Sequence, residues 1–219
     1  MTSLPSLPVV EISKPVDTFR LISEKSPILS PFIRDGDSLL ILRQIKKLTD
    51  NRSSVYEPIY GINAKIINAA FTSHSRPKEG NRFNDDTRGA WYCAFECQTA
   101  IEEVAYHHTR ELYRIDEYKN EIIYQELLAG FTGAFHDARG LPRDKGILGT
   151  EPETAYPLGQ KLANELRVEG GRGIIYPSVR TPKGTCLVAF HPQMVQGLQF
   201  GKRWRMSWNG SREYKVEEV

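Results

Sequence analysis

The chain has 219 residues, 40% of them apolar and 10% aromatic, which is enough for a substantial core and excludes a mainly disordered protein. Its 29 basic and 27 acidic residues leave a formal charge of +2, so no global field concentrates nucleic acid or anionic lipid, and an anionic ligand needs local arginines. No apolar run is long enough to cross a bilayer, MTSLPSLPVVEISKP lacks the form of a secretory signal, and three cysteines make no disulfide framework; the expectation is a cytoplasmic protein with no membrane and no direct nucleic-acid binding.

Pro5, Pro8 and Pro15 mark the start as an extended arm over residues 1–18. No long Pro/Gly/Ser-rich linker follows, so residues 19–219 read as one domain with an N-terminal helical elaboration. DTFRLIS alternates like a strand, and DSLLILRQIKKL, behind Asp37, has a helical stripe of Ile41, Ile45 and Leu48. INAKIINAAF fits a helix or a strand edge. SHSRPKEGNRFNDDTRG is a turn-rich loop, and AWYCAFE then alternates Trp91, Cys93 and Phe95 against Tyr92 and Ala94, a strand with one well-buried face. TAIEEVAYHHTREL is helical through Ile101, Val104, Ala105, His108 and Leu112, with Thr99 and Glu102 spaced as a capping box. EIIYQELLAGFTGAF is mainly strand. AYPLGQKLANELRVEG is a helix on Leu158, Leu162 and Leu166, stopped by Gly170. GIIYPSVR and TCLVAFHP are strands about the turn TPKG, GKRWRMSW is a strand rim with snorkelling arginines, and REYKVEEV closes the sheet. The mixture predicts an α+β fold.

Several residues in these segments can carry chemistry, although each has a bland reading. Arg82 sits in a glycine-containing loop, where a guanidinium fork suits a diphosphate but a plain surface arginine is commoner. Tyr92 is one of two aromatic neighbours on a strand, so one of the pair points away from the main core. Glu103 lies opposite the helix's apolar stripe and, on periodicity alone, reads as a solvated glutamate near a helix start. Ser178 follows Pro177 without a G-x-S-x-G elbow, which favours a hydrogen-bonding serine over a nucleophile. His107 with His108, and Cys93 with Cys97, match no metal spacing, so no metal is expected.

Taken in order, GNRFN, WYCAFECQTAIEEVAYH, LANELRVEGGRGIIYPSVR and GTCLVAFHP resemble the RES domain, a family named for its arginine, glutamate and serine and found as the toxin of bacterial Xre–RES toxin–antitoxin pairs. The likeness runs from about Phe19 to the C-terminal strand. Arg82 falls on the arginine of the family's G-R-[WF] motif, Tyr92 on its tyrosine, Glu103 on the glutamate of its A-x-x-E-V helix, and Ser178 on its late serine. The valine after Glu103 sets the register between the two glutamates. This sequence departs from the pattern in its longer N-terminus and an insertion of roughly sixty residues before GNRF, as in the longer members.

The resemblance implies a compact mixed sheet with flanking helices, similar to the ADP-ribosyltransferase toxin fold. It also implies an NAD+ phosphorylase or NAD+ glycohydrolase, with NAD+ as substrate, phosphate as a possible co-substrate, no cofactor, and an Xre-type antitoxin as partner. In that chemistry Glu103 stabilises the cation that develops on the ribose, Arg82 holds the diphosphate, Tyr92 packs on the nicotinamide end and Ser178 fixes the pose, with Arg20 a weaker phosphate contact. The alternatives are an ADP-ribosyltransferase acting on a macromolecule and a non-catalytic nucleotide-binding module.

Overall fold

The computed structural model describes residues 4–26, 58–72 and 80–219. The helix expected from Asp37 lies outside the described residues. The described chain forms strands β1 (Val9–Ser23), β2 (Trp91–Ala94), β3 (Lys119–Asp137), β4 (Gly173–Pro177), β5 (Thr185–Ala189), β6 (Gln196–Asn209) and β7 (Tyr214–Glu218). Its three helices are α1 (Ala64–Thr72), α2 (Cys97–Arg114) and α3 (Pro152–Val168). The fold class is α+β, as expected.

The seven strands form one mixed sheet in the order β1-β2-β5-β4-β3-β6-β7. Only β3 and β4 pair in parallel, and β1 pairs with β3 as well as β2. Pairing therefore runs from β1 through β2, β5, β4 and β3 back to β1. The β6–β7 hairpin extends from β3.

Both faces of β2 are covered, so the alternation in AWYCAFE does not separate core from solvent. Trp91 and Cys93 join one apolar cluster with Ile66, Ile67 and Phe71 of α1, while Ala94 and Tyr92 join another with Ile101 of α2 and Leu162 of α3. The open reading of INAKIINAAF resolves as helix, because Ile66, Ile67, Ala70 and Phe71 fall on one face and are buried there.

β1 begins at Val9, inside the segment read as an arm. Its pairing with β3 runs from Val9↔His136 to Ser23↔Tyr124, with a register shift between Ile12 and Val16 that accommodates Pro15, which has no N–H to give the ladder. The boundary drawn at residue 18 thus falls within a strand. Gly170, with φ +82°, ends α3, as its sequence position predicts.

Candidate active site

The loop before β2, the first turns of α2 and the turn between β4 and β5 meet at a cleft of ≈ 270 Å³. Its walls include Arg20, Arg82, Tyr92, Glu103, Tyr156 and Arg180. Four of the five residues singled out in the sequence are therefore neighbours in space, and the fifth, Ser178, touches one of them.

Glu103 stands in the second turn of α2 and points into the cleft, not to solvent as its place on the helical wheel suggests. The reason is the turn after β4, which folds over that side of α2 and makes it a second buried face. Ser178 Oγ donates to Glu103 Oε1 at 2.6 Å. Burial pushes the Glu103 carboxyl above its ordinary range; the Ser178 hydrogen bond and the charges of Arg180 and Arg82 pull it back, and Glu102 adds a smaller push upward.

The Ser178 hydroxyl, whose residue is 1% exposed, also accepts the backbone N–H groups of Arg180 at 3.1 Å and Thr181 at 2.9 Å. The turn thus closes on its own serine and presents that hydroxyl to Glu103. What the arrangement does chemically is fix one carboxylate oxygen and leave the rest of the group facing the cleft.

The capping box expected at Thr99 and Glu102 does not form. α2 starts at Cys97 behind Glu96, and Thr99 Oγ1 donates to Glu96 Oε2 at 2.8 Å. Glu102 instead accepts Thr181 Oγ1 at 2.7 Å and Gln98 Nε2 at 2.9 Å, so it ties the same turn to the helix. With Glu96 as the N-cap residue the helix starts three residues earlier than a cap at Thr99 would set it, which releases Glu102 for that contact.

Arg82 is 7% exposed. Its Nη1 donates to the carbonyls of Ile147 at 2.6 Å and Gly149 at 3.1 Å, and its guanidinium lies 5.4 Å from the centroid of the Tyr156 ring. It joins the pre-β2 loop to the chain entering α3. Tyr92 donates its hydroxyl to Asn84 Oδ1 at 2.8 Å and accepts the Phe83 N–H at 3.0 Å, and burial raises its pKa far enough to keep it neutral. Arg20 reaches across from β1: its Nη1 donates to the Tyr92 carbonyl at 2.8 Å, and its guanidinium lies 4.8 Å from the Trp91 ring centroid. Its buried Nε has no hydrogen-bond partner among the described residues, and burial lowers its pKa.

Sequence reasoning missed Asn84, Tyr156 and Arg180. Asn84 lies two positions after Arg82 in GNRFN and Arg180 two after Ser178 in YPSVR, so both stood inside segments already quoted. Tyr156 carried no local signal, because only the packing of α3 brings it to Arg82. Among the described residues no three His, Cys, Asp or Glu side chains gather as a metal site, and no helix is long and apolar enough to cross a membrane.

Residues 58–209 match the RES domain family. A chain of the M. tuberculosis MbcT–MbcA toxin–antitoxin complex, known from its crystal structure, superposes with a TM-score of 0.46 at 15% identity, covering 90% of this chain and 87% of that one. No curated protein matches the sequence.

Proposed function

Because the chain belongs to the RES domain family, we propose that it degrades NAD+ by breaking the bond between nicotinamide and ribose, and that it acts as the toxin of a toxin–antitoxin pair. The observation that supports this most is Glu103, a part-buried carboxylate held by Ser178 at 2.6 Å in a cleft walled by arginine and tyrosine. As the bond breaks, its electron pair leaves with nicotinamide, which departs neutral and needs no separate acid. Positive charge develops on the ribose carbon, and a fixed carboxylate beside it stabilises that state more than the ground state. Phosphate, or water that gives up a proton to solvent, then supplies the oxygen that forms the new bond, giving ADP-ribose 1-phosphate or ADP-ribose.

Ser178 acts in this reading through Glu103 and not on the ligand. Tyr92, neutral and braced by Asn84, offers an aromatic wall for the nicotinamide end. An Xre-type antitoxin is the partner that the family resemblance implies, and a cleft open at the protein surface is where such a partner acts by occlusion.

The deciding experiment incubates purified protein with NAD+, with and without phosphate, and identifies the products. Nicotinamide with ADP-ribose 1-phosphate means phosphorolysis; nicotinamide with ADP-ribose means hydrolysis. Intact NAD+ under both conditions sinks the proposal.

A further inference from the structure

Three arginines line the cleft among the described residues, and they are not equally available to a ligand. Arg82 is 7% exposed and shares one nitrogen between two backbone carbonyls, and Arg20 commits a nitrogen to the Tyr92 carbonyl while stacking on Trp91. Both are built into the wall. Arg180 differs: it follows β4 on the turn that Ser178 closes, and its guanidinium carbon lies 3.5 Å from the centroid of the Tyr106 ring on α2, one turn beyond Glu103. Its one described side-chain hydrogen bond, from Nη2 to the Thr150 carbonyl, is long at 3.3 Å and exposed.

A guanidinium flat on an aromatic ring has its face covered and its N–H edge directed outward in a fixed plane, the geometry that meets a phosphate with two parallel hydrogen bonds. Little side-chain freedom remains to be lost on binding. The same helix carries an instructive counterpart: Arg212 stacks on Tyr113 at 4.1 Å, seven residues along α2 from Tyr106, but neither residue lines the cleft. Stacking alone is therefore ordinary here. Stacking at the cleft wall, beside the turn that holds Glu103, is what sets Arg180 apart.

We propose that Arg180, positioned by Tyr106, is the cleft's principal contact for phosphate groups, and that Arg82 and Arg20 chiefly shape the walls. The shared chemistry is a tetrahedral phosphate, either within the diphosphate of a dinucleotide or as free phosphate. The inference rests on the reading of the cleft as a nucleotide site. It assigns the anion to a residue that the sequence analysis did not select.

The test is calorimetric titration of the full chain with ADP, adenosine and inorganic phosphate, using the parent, Arg180→Ala, Arg180→Lys, Tyr106→Leu and Arg212→Ala. Losing a charged two-point contact predicts about a tenfold or greater loss of ADP affinity in Arg180→Ala, with adenosine affinity within about twofold of the parent. Retained adenosine binding shows that the site is still folded. Arg180→Lys restores only part of the loss, Tyr106→Leu shows a smaller loss, and Arg212→Ala matches the parent. If inorganic phosphate binding falls along with ADP, Arg180 serves a position open to free phosphate; if only ADP falls, it serves the diphosphate. The proposal is overturned if the parent does not bind ADP, if Arg180→Ala keeps ADP affinity within about twofold, or if Arg212→Ala loses as much.

NAD+ turnover, measured separately, keeps the two readings apart. A parent that binds ADP through Arg180 but leaves NAD+ intact refutes the catalytic reading alone. Turnover with Arg180-independent ADP binding refutes this one alone.

Discussion

Burial around Glu103 outweighs the charges of Arg180 and Arg82, so its folded-state pKa stands above its unfolded one. A group shifted in that direction favours folding at pH below its unfolded pKa, and that favour is lost as pH rises through the raised folded value. At neutral pH the ionised Glu103 therefore opposes folding. Glu103→Gln removes the charge and keeps an oxygen for Ser178 to bond. The variant is expected to unfold at a temperature equal to or above the parent's at pH 7, with any advantage shrinking toward about pH 4; a parent clearly more stable at pH 7 would contradict this. The same substitution is expected to reduce NAD+ turnover by about a hundredfold or more. Residual turnover within a few-fold of the parent would remove Glu103 from the chemistry. Arg82→Lys makes a different kind of prediction, because lysine is a compact point charge that reaches less far toward the two carbonyls and lacks the guanidinium plane over Tyr156. Its expected cost is about 1–3 kcal/mol of stability, read by urea unfolding. Unchanged stability would mean that an ammonium serves the two carbonyls as well as the guanidinium does.

Between elements, α3 approaches the Arg82 loop closely at Gly159. A Cβ on Gly159 would strike the backbone carbonyl of Arg82, and no flexible side-chain end is there to yield. Gly159→Ala is expected to displace the loop, weakening nucleotide binding and lowering thermal stability together, although alanine alone favours a helix. A more stable variant with normal affinity would show that the packing tolerates the extra carbon. How far the elements could be read from sequence depended on how cleanly each face met solvent or core. β2 and α2 were legible because Trp91/Cys93 and Ile101/Ala105 repeat at strand and helix periods. The early half of β1 was not, since VVEISKPV is largely exposed, alternates only briefly at Val10 and Ile12, and is interrupted at Pro15. Glu103 was misread on periodicity for the opposite reason: α2 is buried on two sides, and no helical wheel records the turn from β4 that covers the second. The family register singled out that glutamate, and the structure places it at the cleft, where physical patterning pointed to solvent.

Across the whole molecule, the site draws on β1, the pre-β2 loop, α2, the entry to α3 and the β4–β5 turn, while two apolar clusters clamp the sheet from either face. A cleft assembled in this way stands or falls with the global fold, so the stability of each variant is measured beside its activity. Expression in a bacterial cytoplasm without a partner is expected to lower NAD+ and stop growth for the parent, and to do neither for Glu103→Gln. Total NAD+ after induction, measured beside growth, checks this. Arrest with unchanged NAD+, or equal arrest by both forms, would assign the harm to binding instead of bond cleavage.

The Ser178–Glu103 hydrogen bond joins residues 75 positions apart, and Arg20 meets the Tyr92 carbonyl 72 positions away. On a ribosome adding about 5–20 residues per second, seconds pass between the emergence of Glu103 and that of the serine that holds it. Throughout that interval the nascent chain has the glutamate but not its support, and β1 waits for β3 before it can deliver Arg20. The order of synthesis thus delays the complete cleft until β4 and the turn after it have emerged, and a polypeptide cut short before β4 never contains it.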